Sequence, residues 1–165
     1  MKTIELEVAL ANFLDFRQSD IIFNITVISQ LLDFETDVLQ ITKSGYLNAF
    51  ELKVSKADLK KDLKKNYIKG KVKGFDYFRK LKTFSYVVPE ELKEDALNQI
   101  PDFAGLYKAI EIQSTPKRIS IRCIKPPKVL GKREPITDSQ KLAFLRLGNM
   151  RVITLKKRLI SHEDN

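Results

Sequence analysis

The chain has 165 residues, 43% apolar and 31% charged, which excludes a disordered or collagen-like protein and suits one domain, 1–165, with its own core. No apolar run is long enough to span a bilayer, and Glu5 and Glu7 make "MKTIELEVAL" a poor secretory signal, so no membrane association is expected. The formal net charge is +9, and residues 53–82 account for the whole surplus, with twelve Lys or Arg against only Asp58, Asp62 and Asp76.

In chain order, "MKTIELEVALANFLDF" predicts a helix, with Leu6, Leu10, Phe13 and Leu14 at helical spacing and Thr3 as its cap. The β-branched run "IIFNITVI" predicts a strand. "ETDVLQITKSGYLNAFELK" predicts a hairpin about Lys43-Ser44-Gly45, with Gly45 in the left-handed place of a three-residue loop. "KADLKKDLKKNYI" predicts a short helix, and "VKGFDYFRK" a basic loop. "KTFSYVVP" predicts a strand, "EELKEDALNQI" a helix, and "FAGLYKAIEI" and "RISIRCIK" two more strands. Pro126 to Pro135 reads as a loop. Thr137 with Gln140 three residues on forms a capping box for a C-terminal helical segment, 137–162, with a break expected at Gly148-Asn149. This alternation predicts an α/β fold, a mixed β-sheet flanked by helices. Cys123, the single cysteine, cannot form an internal disulfide, which fits a cytoplasmic location. It reads as a buried structural thiol in a strand. Met150 reads as core, and "RVITLKKRLI" as a sheet-covering helix with exposed lysines.

The hairpin carries the chemistry. With Thr42 facing Tyr46, Leu39 faces Ala49, Ile41 faces Leu47, Asp37 faces Glu51 and Glu35 faces Lys53. Alternation puts all of these except Thr42 and Tyr46 on one face, apolar near the turn and charged at the open end. Opposed like charges destabilise a strand pair. Two readings of that end stand side by side. A hard divalent cation such as Mg²⁺ sits between Asp37 and Glu51, or Glu35 and Lys53 form a cross-strand ion pair while the other acids reach solvent. The lysines of the following helix, Lys56, Lys60 and Lys64 on one face with Lys61 and Lys65 beside it, form the electrostatic footprint of a polyanion. Leu59 and Leu63 form its packing stripe, and Asp58 and Asp62 read as counter-charges to neighbouring lysines.

The stretch "TDVLQITKSGYLNAFELK" resembles the core of the PD-(D/E)xK nucleases, which share the restriction-endonuclease-like fold. Asp37, Glu51 and Lys53 stand at the motif positions, and Thr36 stands where the family often has proline. Further stretches, "FSYVVPEEL", "IPDFAGLY" and "LRLGNMRVITLKKRL", extend the likeness toward the small MmcB-like DNA repair branch. The resemblance implies Mg²⁺ or Mn²⁺ held by Asp37, Glu51 and the Leu52 carbonyl. It implies Lys53 acting on a water or on charge at phosphorus, and a first-helix glutamate, Glu7 or else Glu5, completing the catalytic set. It implies a metal-dependent deoxyribonuclease acting on DNA in repair, recombination or phage DNA metabolism, a homodimer in many relatives. The alternative is a catalytically silent nuclease-fold protein that binds DNA or a partner. His162 is the only histidine, which argues against a histidine triad or a histidine-rich zinc site, and no phosphate-cradling glycine loop is present. Tyr67, Phe75, Tyr77 and Phe78 read as core or loop anchors ahead of base-stacking platforms.

Overall fold

A computed structural model describes residues 1–25, 32–64, 78–114 and 118–163, with side chains described to residue 160. The elements are α1 (Thr3–Phe13), β1 (Asp20–Ile25), β2 (Thr36–Ile41), β3 (Leu47–Leu52), α2 (Lys56–Asp62), β4 (Leu81–Pro89), a 3-10 turn (Glu90–Leu92) running into α3 (Lys93–Leu97), β5 (Gly105–Ile112), β6 (Arg118–Lys125) and α4 (Asp138–Glu163). The strands form one six-stranded sheet in the order β1-β2-β3-β4-β5-β6. The pairs β1–β2, β2–β3 and β5–β6 are antiparallel, whereas β3–β4 and β4–β5 are parallel. A parallel pair needs a crossover, and α2 and α3 lie in those two connections. The fold is therefore α/β with a mixed sheet flanked by helices, as expected.

Strand alternation sorts the core into two layers. Val38, Phe50, Leu52, Val87, Ala109 and Ile121 pack with Leu6, Ala9 and Leu10 of α1. Leu39, Ile41, Ala49, Phe84, Tyr86 and Val88 point the other way, toward Leu59 of α2, Ala96 of α3 and Phe144 of α4. The central strand β4 is buried from Phe84 through Val88 because it is covered on both faces.

Several expectations are corrected. Thr3 is the first residue of α1, not its cap. Glu5 secures that end by accepting the Lys2 backbone N–H at 2.6 Å. The helix expected over 90–100 is a 3-10 turn followed by a five-residue α-helix. The Thr137–Gln140 capping box forms in both directions, at 3.0 and 3.2 Å. Beyond it α4 runs unbroken through Gly148. The glycine lies beside Ile22 of β1, whose Cγ2 would meet an added Cβ at 3.5 Å, an ordinary van der Waals contact. Met150 is exposed, and so are Val152, Ile153, Leu155, Leu159 and Ile160. The second half of α4 thus does not cover the sheet among the described residues. Cys123 is exposed on the edge strand β6. Phe78 is core, packed edge-on to Phe34 and tilted against Phe84 and Phe103. Tyr67, Phe75, Tyr77 and most of the expected basic loop lie outside the described residues. Among the described residues no helix is long and apolar enough to cross a membrane.

Candidate active site

The hairpin turns where the sequence places it. Gly45 has φ +79, and the Thr42 and Tyr46 backbones close the loop at 2.9 Å. The observed register pairs Leu39 with Ala49 and Ile41 with Leu47, so the same ladder carries Asp37 across from Glu51. Two hydrogen bonds secure the open end. Asp37 Oδ2 accepts the Leu52 backbone N–H at 2.7 Å, and Thr36 Oγ1 donates to the Phe50 carbonyl at 3.2 Å. A proline at 36 could not make the second bond.

The Lys53 backbone N–H donates to the Val87 carbonyl of β4 at 3.0 Å, which continues the parallel ladder. Its side chain is almost wholly buried, 5% exposed, and lies 3.0 Å from Glu51 Oε2 and 3.5 Å from Asp62 Oδ1. Glu51 and Asp62 are buried too, at 3% and 1% exposure. Tyr86 donates its hydroxyl to Asp62 Oδ2 at 2.9 Å. Asp62 is therefore part of the site, not a solvated counter-charge. The signal was present in its spacing: three residues after Leu59, it shares the packing stripe of α2. The expected Glu35–Lys53 pair is not made. Glu35 is exposed, and Lys53 turns to Glu51 and Asp62.

Burial raises Glu51 to a pKa of about 8, and the charge of Asp37 pushes the same way; the Lys53 ammonium only partly offsets them. Burial works against the charge on Lys53, but Glu51 and Asp62 outweigh it and raise its pKa. Glu7 on α1 is half-buried and accepts a hydrogen bond from Asn24 Nδ2 at 3.2 Å. Burial raises its pKa, the Asn24 bond lowers it, and the charge of Asp37 raises it again, so Glu7 faces the Asp37 side of the site. Glu5 is occupied at the helix start. Of the two, Glu7 is the one that meets Asn24 of β1 and feels the charge of Asp37. Asn24 was not singled out in the sequence. It takes φ +51 where β1 passes β2, a conformation asparagine tolerates better than most residues. An asparagine amid β-branched neighbours was the available clue.

Ser55 caps α2 by accepting the Asp58 N–H at 3.2 Å. Lys56, Lys60, Lys61 and Lys64 are exposed, and Lys56 reaches Asp95 of α3 at 2.7 Å. Lys65 lies outside the described residues. Asp37 and Glu51 lie close enough for the charge of one to raise the pKa of the other, and the Leu52 carbonyl follows Glu51 directly in the chain. Among the described residues no three His, Cys, Asp or Glu side chains are grouped so as to hold a metal ion by themselves.

No family model matches the chain, and no curated protein matches it. The chain is similar to a solved structure, a protein of unknown function from Silicibacter pomeroyi, with a TM-score of 0.59 and 14% identity. The match covers 100% of this chain and 95% of that one. At that identity the likeness concerns the fold alone.

Proposed function

We propose that the protein is a metal-dependent deoxyribonuclease of the PD-(D/E)xK type, with its active site at the open end of the β2–β3 hairpin. The observation that carries this reading is the meeting of Asp37, Glu51 and Lys53 at one sheet end, where burial and like charge oppose the ionised Glu51. The residues fit a hard divalent ion. Asp37, Glu51 and the Leu52 carbonyl offer only oxygen, and Mg²⁺ commonly takes one or two carboxylates and completes its shell with water and phosphate. A bound Mg²⁺ or Mn²⁺ supplies Lewis acidity toward a phosphodiester and a lowered pKa for water. Lys53, flanked by Glu51 and Asp62, presents an ammonium to the attacking water or to charge developing on phosphorus. Glu7, oriented by Asn24, adds an acid on the Asp37 side. Lys60, Lys61 and Lys64 hold phosphates without reading bases.

One observation favours a second reading, a nuclease-fold protein that binds DNA without cutting. Among the described residues the side-chain carboxylates do not converge three at a time, and Asp37 is engaged by the Leu52 N–H. Incubation of the protein with linear, nicked, branched and single-stranded DNA, in Mg²⁺, Mn²⁺ or EDTA, separates the two. Metal-dependent cleavage that Asp37→Ala abolishes supports the nuclease. Salt-sensitive binding with no cleavage in either metal supports the second reading.

A further inference from the structure

At the other end of the sheet lies a groove of about 630 Å³, where Arg79, Lys80, Lys132 and Arg133 meet Ile136 and Gln140, with Glu134 the only acid among the described residues that line it. Leu81, at this end of β4, pairs with Leu47 beside the hairpin turn, whereas Tyr86 pairs with Glu51. Five residues of strand separate the two ends by about 17 Å, so the groove is distinct from the Asp37–Lys53 site. Its wall is fixed in advance. Arg133 Nε donates to the Leu81 carbonyl at 3.1 Å, the Leu130 N–H to the Lys82 carbonyl at 2.9 Å, and the Ile136 N–H to the Gly45 carbonyl at 2.9 Å. Arg79 is braced by Asp33 at 2.9 Å. Among the described residues Lys80 and Lys132 pair with no carboxylate.

The geometry points to a second nucleic-acid contact here, a groove that takes the phosphate backbone of DNA independently of the hairpin site. The solvent access of its cations, with Arg79 and Lys132 exposed and Lys80 and Arg133 half-buried, decides what kind of anion fits. A single exposed ion pair contributes about 0–1 kcal/mol, too little to hold one phosphate or a lone nucleotide. Several such cations engaging one polyanion act together and release its counterions. Among the described residues the lining holds no aromatic side chain, and its one aliphatic side chain besides proline, Ile136, is packed against the core, so the groove offers little of the anchoring on which protein partners depend, which favours nucleic acid over an acidic peptide. Arg79 and Lys80 belong to the same basic segment, 53–82, that supplies α2, so this groove accounts for basic residues that the hairpin site leaves unused. The groove does not depend on whether the hairpin site cuts.

The test is fluorescence anisotropy of a labelled 30-base-pair duplex with the full chain in EDTA, so that cleavage plays no part, over a series of salt concentrations. The variant is Lys80→Gln combined with Lys132→Gln, with Lys80→Arg combined with Lys132→Arg as the charge-conserving control. The Gln pair should bind more weakly at every salt concentration. Its slope of log affinity against log salt should be smaller by about 1.8, at about 0.9 per lost phosphate contact. The Arg pair should restore both. Unchanged affinity and slope in the Gln pair, with an unchanged melting temperature, would overturn the assignment. Competition by a poly-glutamate peptide or a nucleoside triphosphate as effective as unlabelled duplex at equal charge would overturn it too. Loss of cleavage in hairpin variants bears only on the nuclease reading.

Discussion

Lys53 hydrogen-bonds Glu51 and forms a longer ion pair with Asp62, which Tyr86 holds in turn. The ammonium sits 3.0 Å from Glu51 and 3.5 Å from Asp62, and Tyr86 satisfies the far oxygen of Asp62. Removing one member of a buried charged set leaves the others under-compensated. Asp62→Ala should therefore destabilise the protein by about 3 kcal/mol in urea unfolding, and Tyr86→Phe by about 1–2 kcal/mol. A loss under about 0.5 kcal/mol for Asp62→Ala, the range of ordinary surface changes, would show that the pair is not structurally coupled. Glu51 makes a pH prediction for the metal-free protein. Its folded pKa of about 8 lies above the usual 4.5, so the folded state keeps a proton that the unfolded chain releases. Stability should fall as pH rises from about 4.5 to about 8 and level off beyond. Glu51→Gln, which mimics the protonated acid, should melt higher than the parent at pH 8.5, and the gap should close near pH 4.5. A gap that widens toward low pH would reverse the sign and reject the assignment. The Gly45 turn and the hairpin register that carries Asp37 across from Glu51 follow from period-2 alternation and one turn glycine, whereas the partners of Lys53 do not. The residues that sequence reasoning missed, Asp62 and Asn24, reach the site from another helix and another strand. Local pattern marks Asp62 as a stripe position and Asn24 as the odd residue in its strand, but which side chains they meet depends on packing between elements.

At the scale of elements, the hairpin was legible down to its register because the Gly45 loop fixes which residues face each other. The end of α4 was not. Its apolar residues suggested a face against the sheet, yet from Val152 to Ile160 the side chains are exposed, Leu159 at 64%. Helical periodicity shows that a segment has apolar positions, not that a partner surface lies within reach. The anchored half of α4 is defined instead by Phe144, buried in the core, and by the passage of Gly148 beside Ile22. Truncation after Arg151 should therefore shift the melting temperature by no more than about 3 °C, the equivalent of about 1 kcal/mol in a chain of this size. A loss of 10 °C or more would show that the helix end is packed in the folded protein.

For the molecule as a whole, alternating strand and helix patterns predicted the mixed sheet, and the parallel pairs β3–β4 and β4–β5 arise where helices fall between strands. Strand order and burial on both faces of β4 could not be read from alternation alone, because they depend on which crossovers pack on which face. The charge acquires a geometry. Of the basic residues of 53–82 that the structure describes, Lys56, Lys60, Lys61 and Lys64 lie on or just after α2, and Arg79 and Lys80 lie at the turn end; Lys65, Lys69, Lys71 and Lys73 fall outside the described residues. This division lets a phosphate backbone meet cations at both ends of the sheet. The central claim is that the hairpin end cuts DNA with Lys53 as a direct participant. Its most direct test is the Mg²⁺-dependent cleavage rate of purified Lys53→Ala beside the parent, with folding checked by circular dichroism. Cleavage that falls by about a hundredfold or more in a folded variant is the predicted result, and a folded Lys53→Ala that cuts at the parent rate would contradict the claim.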